Sequence, residues 1–167
     1  MTTPIDTFFN YRYQIEKKLG EGAQGAVHLA TDTVSDRSVA IKVLHVGQSD
    51  QWQALFRHEF EILADLSHPY LAQVYDFGVT PDGEVFFTRD FIPGKDLLAA
   101  TDDVTAPLFV AICVQMCRAL RPLHRSGLMH GDIKPGNMVF GESVRNEDGA
   151  WRCSAYPIDF SFVRVAS

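Results

Sequence analysis

The chain has 167 residues, of which 46% are hydrophobic and 22% are charged, and this composition is typical of an ordered globular protein with a buried core. Its formal net charge of −6 argues against nucleic-acid binding and against an anionic membrane surface, since both require clustered Lys and Arg. The longest apolar run, Leu108 to Cys117, is shorter than the roughly 20 residues that span a bilayer, and no signal segment opens the chain, so we expect a cytoplasmic protein.

Three cysteines give little sign of a disulfide or metal site. Cys113 and Cys117 are four residues apart in an apolar helical pattern, and Cys153 is the third. No His or acidic residue stands at metal-ligand spacing from them. We therefore predict buried thiols.

Five segments have the alternating apolar and polar residues of β-strands, and the first three predict an antiparallel meander. They are Tyr13 to Leu19, Val27 to Thr31, Ser38 to Leu44, Leu71 to Phe77 and Glu84 to Arg89. Between the third and the fourth, a helical pattern runs from about Gln51 to Leu66, with Ser49 or Asp50 as its cap and Ser67-His68-Pro69 as its end.

After a break at Pro93-Gly94 the composition changes from strands to helix. Thr105 and Pro107 open a strongly apolar helix that ends near Gly127. A short strand follows at Met138 to Phe140, then a polar stretch from Gly141 to Asp148, and then a strand leading into Asp159.

A glycine-rich segment lies between the first two predicted strands. It reads Leu19-Gly20-Glu21-Gly22-Ala23-Gln24-Gly25-Ala26-Val27 and contains the spacing G-x-G-x-x-G. A strand on either side disfavours a dinucleotide-binding fingerprint, which needs a helix after the glycines. Glycines here let backbone N–H groups approach phosphate oxygens, but the spacing alone is equally typical of a tight hairpin.

A lysine and a glutamate form the next candidate pair. Ala40 and Lys42 share one face of the third strand. Glu59 lies near the centre of an apolar helical stripe, whose members are Trp52, Leu55, Phe56, Leu63 and Leu66. A carboxylate in an apolar face is costly unless it is paired, so the pattern predicts an ion pair with Lys42. The alternatives are an edge-strand lysine in water and a solvated glutamate.

Two later segments carry the residues of phosphoryl-transfer chemistry. They are His130-Gly131-Asp132-Ile133-Lys134-Pro135-Gly136-Asn137 and Ile158-Asp159-Phe160. Asp132 could accept a hydroxyl proton and Lys134 could neutralise a transferring phosphoryl group, while Asn137 and Asp159 offer oxygen ligands for Mg²⁺. Each residue alone could instead cap a loop.

In this order, the segments resemble the eukaryotic-type serine/threonine protein kinase family, with a bacterial character. The resemblance implies an α+β protein-kinase fold, with a five-stranded N-lobe and hinge over residues 1–92 and part of a mainly helical C-lobe over residues 93–167. It also implies ATP-dependent phosphoryl transfer to Ser or Thr hydroxyls of a protein substrate, with ATP and Mg²⁺ as cofactors. Lys134, two residues after Asp132, is the serine/threonine-type arrangement.

The resemblance also assigns residues to the nucleotide. The glycine-rich segment, Ala40 and the pair Lys42 and Glu59 would hold ATP, and Asp90, Phe91 and Ile92 fall where the family's hinge binds adenine. Two alternatives remain open. One is a small-molecule kinase of the aminoglycoside or choline type, and the other is a nucleotide-binding pseudokinase scaffold.

Four departures from the family pattern stand out. Gly131 replaces an Arg that in many members pairs with a phosphorylated activation loop, so we expect activity without that phosphorylation. Ser161 replaces the last Gly of D-F-G, and Arg89 stands where an apolar or small gatekeeper is usual. The activation segment and later helices of the family are not in the sequence, so we expect the apolar helix to be partly exposed and to need a partner or a further C-terminal region.

Overall fold

The computed structural model describes residues 8–22, 25–100, 104–145, 151–160 and 162–165. The chain forms two compact units, the first of residues 1–64 and 74–91 and the second of residues 65–73 and 92–167. Three residues singled out from the sequence lie outside the described residues, namely Ala23, Gln24 and Ser161.

The first unit is built on an antiparallel sheet in the order β1-β2-β3-β4-β6-β5. Its strands are β1 (Phe8–Phe9), β2 (Tyr13–Glu21), β3 (Gly25–Asp32), β4 (Arg37–Leu44), β5 (Val74–Val79) and β6 (Val85–Asp90). The predicted five-stranded antiparallel sheet is confirmed, as is the meander of its first three long strands. The two-residue strand β1 pairs with β2 as an addition at one edge.

The predicted start of β5 at Leu71 is wrong. The Leu71 amide donates to the carbonyl of His68 at 3.0 Å, so the turn that ends the preceding helix continues to this residue. Leu71 and Ala72 are nevertheless buried, and both belong to the second unit. Their apolar character therefore reflects burial outside the paired strand, which begins at Val74.

Helix α1 (Asp50–Asp65) covers one face of the sheet in the first unit. The rings of Phe56 and Phe60 contact those of Phe77 in β5 and Phe87 in β6, with centroid distances from 4.9 to 6.3 Å. Such tilted aromatic pairs add to the free energy gained by apolar burial. The predicted helix is confirmed.

The other face of the sheet carries a separate apolar cluster. Its buried members are Tyr13, Ala30, Val39, Ile41, Val43 and Phe86, with Phe9 and Ile15 packed against them. The alternation predicted for β4 is confirmed, because its three aliphatic residues face this cluster while Lys42 contacts α1.

A polar network joins β2, β3 and β5 at the end of the sheet where β2 begins. Arg12 donates two hydrogen bonds of 2.7 Å to the carboxylate of Asp32 and lies 3.2 Å from that of Asp76. The Tyr13 hydroxyl donates to Asp76 at 2.7 Å. Hydrogen bonding from Arg12 lowers the pKa of the buried Asp32 carboxyl well below its usual range, and burial raises the pKa of Tyr13 to about 12.

In its described residues the second unit has helix α2 (Ala106–Arg125), five strands and a turn of 3₁₀ helix at Pro135–Asn137. The strands are β7 (Lys95–Asp96), β8 (Leu128–Met129), β9 (Met138–Arg145), β10 (Trp151–Pro157) and β11 (Arg164–Val165). They form a sheet β10-β9-β7 and a separate pair β11-β8.

The strand predicted at Met138 to Phe140 is longer than expected. It continues as β9 to Arg145, so five of the eight residues of the predicted polar stretch lie in this strand, with Ser143 opposite Cys153 and Arg145 opposite Trp151 of β10. A two-stranded hairpin holds polar residues through backbone hydrogen bonds, which do not require an alternating apolar pattern.

Both predicted ends of α2 are confirmed. Thr105 is its N-cap, Ser126 is its C-cap, and Gly127 follows with φ +71°. Its buried stripe packs in the core of the second unit and consists of Leu108, Ile112, Gln115, Met116, Ala119 and Leu123. By length and composition alone the helix could cross a membrane, and 33% of its apolar window is buried.

The prediction of buried thiols at Cys113 and Cys117 is wrong, because both are exposed. They lie on the face of α2 opposite the buried stripe, where Phe109, Val110 and Val114 are also exposed. These five residues, with Arg118 and Arg121, line a shallow groove of about 570 Å³ that we call the α2 groove. The expectation that part of this helix faces water is confirmed. The side chain of Cys153 lies outside the described residues.

The polar network gives the first unit a specific acid sensitivity. Because the pKa of Asp32 is lower in the folded than in the unfolded chain, its contribution to stability is complete above the unfolded value of about 4 and is lost as the pH falls. We expect Asp32→Asn to lower the free energy of unfolding at pH 7 by about 2 kcal/mol and to flatten its decline below pH 4, measured by denaturant titration. Asp36→Asn, an exposed change in the same turn, is the control. Identical acid profiles for Asp32→Asn and wild type would contradict the prediction.

Exposure of the two thiols can be measured by their reaction with an aromatic disulfide reagent. We expect Cys113 and Cys117 to react in the native protein without denaturant. The variant with both residues changed to Ser should lose two rapidly reacting equivalents. Equal labelling of the variant and the native wild type would show that the face of α2 is covered in solution.

Candidate functional site

The first unit contains a buried ion pair between β4 and α1. Lys42 Nζ donates to both carboxylate oxygens of Glu59, at 2.9 Å to Oε1 and 2.7 Å to Oε2. The Glu59 side chain is 1% exposed and that of Lys42 is 14% exposed. The ammonium also lies 5.8 Å and 5.9 Å from the ring centroids of Phe56 and Phe87, within cation–π range. The predicted pairing is confirmed.

The strand and helix periods explain why these two charges meet. Lys42 is paired in the sheet with Val27 of β3 and Phe87 of β6, so it lies on a central strand and not on an edge. Glu59 is buried on α1 while Glu61 is exposed, as the helical period predicts. Neither the edge-strand lysine nor the solvated glutamate describes this site.

The glycine-rich segment forms the turn end of the β2–β3 hairpin. Gly20 pairs with Val27 and Glu21 with Ala26, and the Gly22 amide donates to the carbonyl of Gly25 at 2.9 Å. A Cβ atom at Gly25 would lie 2.0 Å from the carbonyl oxygen of Val43, so sheet packing requires glycine there. At Gly20 and Gly22 a Cβ would meet no atom within 4 Å. Packing within the protein therefore does not require glycine at those two positions. Glycine would be required there if a ligand approached the backbone closely.

The remaining candidate nucleotide residues are distributed over both units. In the first, Leu19 is exposed, Val27 is half-buried, Ala40 is buried, and Asp90 accepts a hydrogen bond from the Tyr75 hydroxyl. Ile92, in the second unit, is half-buried.

Arg89 is buried in β6. In the sheet it stands opposite Ala40 of β4 on one side and Val74 of β5 on the other. The departure noted in the sequence therefore places a cationic side chain inside the first unit rather than on its surface.

Four candidate residues come together in the second unit around Asp132. Its Oδ2 atom accepts hydrogen bonds from Lys134 Nζ at 2.7 Å and from Asn137 Nδ2 at 2.9 Å. Asn137 Nδ2 also donates to the Asp132 carbonyl at 3.0 Å, and the Ile158 amide donates to the Asn137 carbonyl at 2.9 Å. The last bond holds the segment that carries Asp159 beside Asn137.

The carboxylates of this group stabilise the positive charge of Lys134. The hydrogen bond to Asp132 raises the pKa of the Lys134 ammonium, with smaller contributions from the charges of Asp132 and Asp159. Lys134 therefore stays cationic at neutral pH. Among the described residues, both side-chain contacts of Asp132 are made by Oδ2.

The oxygen donors near Asp132 fit a hard cation such as Mg²⁺. Asn137 is buried, and both partners of its Nδ2 group are acceptors, which fixes the orientation of the amide and turns Oδ1 the other way. Asp159 has φ +63° and directly follows Ile158, whose amide donates to the Asn137 carbonyl. Within the described part of the chain no group of three or more His, Cys, Asp or Glu residues could hold a metal. A carboxylate and a carboxamide oxygen are hard oxygen ligands of the kind that Mg²⁺ binds.

Two residues of this site received no role from the sequence. His130 and Phe160 are buried, and their rings are 4.6 Å apart. The Asp132 amide donates to His130 Nδ1 at 3.4 Å, so the imidazole contacts both the loop of Asp132 and the residue after Asp159. The only signal in the sequence is that each lies within a candidate segment.

The Lys42–Glu59 pair can be tested by a double-mutant cycle. Lys42→Met leaves a buried carboxylate without its cation, so we expect the free energy of unfolding to fall by about 3 kcal/mol. The double variant Lys42→Met with Glu59→Gln should recover part of that loss, because no buried charge remains. Denaturant titration of the two single variants and the double variant gives the coupling energy. Strict additivity would contradict direct pairing.

Comparison with known proteins places this arrangement in a family. A family model described as the protein kinase domain matches residues 13–160. The chain is 36% identical over 140 residues to serine/threonine-protein kinase PksC of Streptomyces coelicolor, an alignment that covers 77% of this chain and 25% of PksC. It is 35% identical over 142 residues to serine/threonine-protein kinase pkn3 of Myxococcus xanthus, covering 82% of this chain and 26% of pkn3.

A third relative has a more specific name. The chain is 34% identical over 137 residues to the DNA damage-responsive serine/threonine-protein kinase RqkA of Deinococcus radiodurans, covering 79% of this chain and 20% of RqkA. The chain thus spans about a quarter of the length of the curated relatives it matches. It belongs to the protein kinase domain family and corresponds to the N-terminal part of that domain.

Proposed function

We propose that this chain is the nucleotide-binding and catalytic part of a serine/threonine protein kinase, which transfers the γ-phosphoryl group of ATP to a Ser or Thr hydroxyl of a protein. The observation that carries the proposal is the contact of 2.7 Å between Lys134 and Asp132. A lysine two residues after the proposed base, here Lys134 after Asp132, is the arrangement typical of serine/threonine kinases. The Lys134 ammonium is also available to a transferring phosphoryl group.

In the first unit, the proposed roles concern binding of ATP. Lys42, held in place by Glu59, binds phosphate oxygens. Backbone N–H groups of the glycine-rich segment, residues 19–27, approach the same phosphates. Ala40 contacts the adenine ring, which Asp90 and Ile92 bind through backbone groups.

In the second unit, the proposed roles concern the chemical step. Asp132 accepts the proton of the attacking Ser or Thr hydroxyl. At the same time the hydroxyl oxygen forms a bond to the γ-phosphorus, and the bond from that phosphorus to the leaving ADP oxygen breaks. Lys134 neutralises charge on the phosphoryl group. Asn137 and Asp159 hold Mg²⁺ through Oδ1 and the carboxylate, and the ion when bound neutralises phosphate charge.

The proposed setting is the cytoplasm, where ATP is available, with a protein substrate and no nucleic acid. We also propose that the α2 groove is covered in the working protein, by a partner or by further chain. The support for this is that one face of α2 exposes several apolar side chains next to the thiols of Cys113 and Cys117. Contiguous exposed apolar patches of this kind are typical of interaction surfaces.

A pseudokinase scaffold is the second candidate function. The observation that favours it is Arg89, whose buried side chain stands next to Ala40 on the strand proposed to contact adenine. A scaffold would bind nucleotide or a partner without transferring phosphate. No similar observation favours a small-molecule kinase, which Lys134 argues against.

Nucleotide binding is tested by thermal unfolding with ATP, with and without Mg²⁺. At a ligand concentration of 100 times the dissociation constant, stabilisation by mass action is about 2.7 kcal/mol. We expect Asp159→Asn to remove the magnesium-dependent part and Lys42→Met to weaken ATP binding itself. Glu61→Gln, an exposed change on α1 that also removes one charge, is the control and should bind ATP as the wild type does. Absence of any shift in the wild type would overturn the proposal.

Phosphoryl transfer is tested separately with radiolabelled ATP. We expect labelling of a Ser/Thr peptide mixture, little labelling of Tyr peptides and none of aminoglycosides. Asp132→Asn should reduce transfer by at least about 100-fold and leave ATP binding unchanged, because a proton acceptor acts only in the chemical step. Binding without transfer by the wild type would favour the scaffold, and transfer to an aminoglycoside would favour the small-molecule kinase.

A further inference from the structure

Two backbone segments of the second unit cross at Gly131 with no side chain between them. Gly131 has φ +82°, a conformation that residues with a Cβ atom adopt at a cost. A Cβ atom at this position would lie 2.3 Å from the carbonyl oxygen of Phe162 and 3.1 Å from its carbonyl carbon. Any other residue would therefore have to move the backbone of Phe162.

The crossing lies in line with the strand pair β8–β11. Met129 is opposite Arg164 and Leu128 is opposite Val165 in that pair. Gly131 is two residues beyond Met129, and Phe162 is two residues before Arg164, so the close approach extends the same antiparallel order. The contact is thus part of how the strand pair ends and not an isolated collision of loops.

The two crossing segments carry the proposed base and a proposed metal ligand. Gly131 directly precedes Asp132, and Phe162 follows Asp159 by three residues. Between them the Val163 amide donates to the carbonyl of Phe160 at 3.2 Å, which closes a turn after Asp159. Before Asp159, the Ile158 amide donates to the Asn137 carbonyl at 2.9 Å. Before Asp159 the segment is thus bonded to Asn137, and after Asp159 its backbone lies close to Gly131.

We propose that Gly131 is a positioning residue for the magnesium site. Its missing side chain lets the chain after Asp159 lie against the loop of Asp132, which sets the carboxylate of Asp159 relative to Asn137. A direct backbone contact does this without any charged group at position 131. The inference rests on the proposed function, because it concerns the metal that Asn137 and Asp159 would hold.

The test compares alanine variants of two glycines that both have positive φ. Gly131→Ala adds a Cβ atom both at positive φ and against Phe162. Gly127→Ala adds one at φ +71° in the same unit, where it meets no atom within 4 Å. Both should lower the melting temperature, since both place Ala at positive φ. Only Gly131→Ala should displace the segment of Asp159.

The measured quantities are the ATP dissociation constants in EDTA and in saturating Mg²⁺, and hydrogen exchange of the β8 and β11 amides. We expect Gly131→Ala to weaken the magnesium-dependent step by about tenfold or more, the size typical of lost support around a metal ligand. Binding in EDTA should stay within about twofold, because Lys42 and Glu59 are unchanged. The β8 and β11 amides should exchange faster in Gly131→Ala than in Gly127→Ala.

A second variant keeps the inference testable if Gly131→Ala does not fold. Phe162→Gly adds no atom at the crossing but loosens the same backbone, so it should reduce the magnesium dependence in the same direction. Wild-type magnesium dependence in Gly131→Ala, or in Phe162→Gly where that variant is used, or an equal loss in Gly127→Ala, would overturn the inference and leave the proposed function standing. A wild type whose ATP binding does not respond to Mg²⁺ would instead overturn both.

Discussion

The buried contact between Lys42 and Glu59 is the constraint on which the first unit depends. A carboxylate that is 1% exposed is costly without a cation beside it, so burial of Glu59 favours the rotation of α1 that brings it to Lys42. The same rotation places Phe56 and Phe60 against the rings of β5 and β6. Such a pair contributes little net stability compared with an apolar replacement, so its main effect is to select one arrangement of helix and strand.

Much of the fold and site followed from the sequence because the relevant patterns are local. The period of two in β4 put Lys42 on one face, and the period of 3.6 in α1 separated Glu59 from Glu61. The caps of α2 were recognisable from Thr105 and Gly127. The grouping of Asp132 with Lys134 and Asn137 needed only the short distances that one loop can span.

The rest depended on contacts that periodicity does not encode. The stripe through Cys113 is as apolar as the buried stripe of α2, and a helix that is apolar on two faces does not reveal which one is covered. Leu71 looks like a strand residue because it is apolar and buried, but its amide bonds to His68 in a turn. The crossing of Gly131 with Phe162 joins residues far apart in sequence, so no spacing rule could predict it.

The interleaving of the two units along the chain has a consequence for dissecting the protein. Tyr13 bonds to Asp76, 63 residues away, and β4 is completed by β6 rather than by its neighbour in sequence. A fragment ending at residue 64 would lack β6 and would leave β4 as an edge strand with one side unpaired. A fragment extended to residue 91 would include residues 65–73, which belong to the second unit. No single cut of the polypeptide therefore separates the complete first unit from the complete second unit.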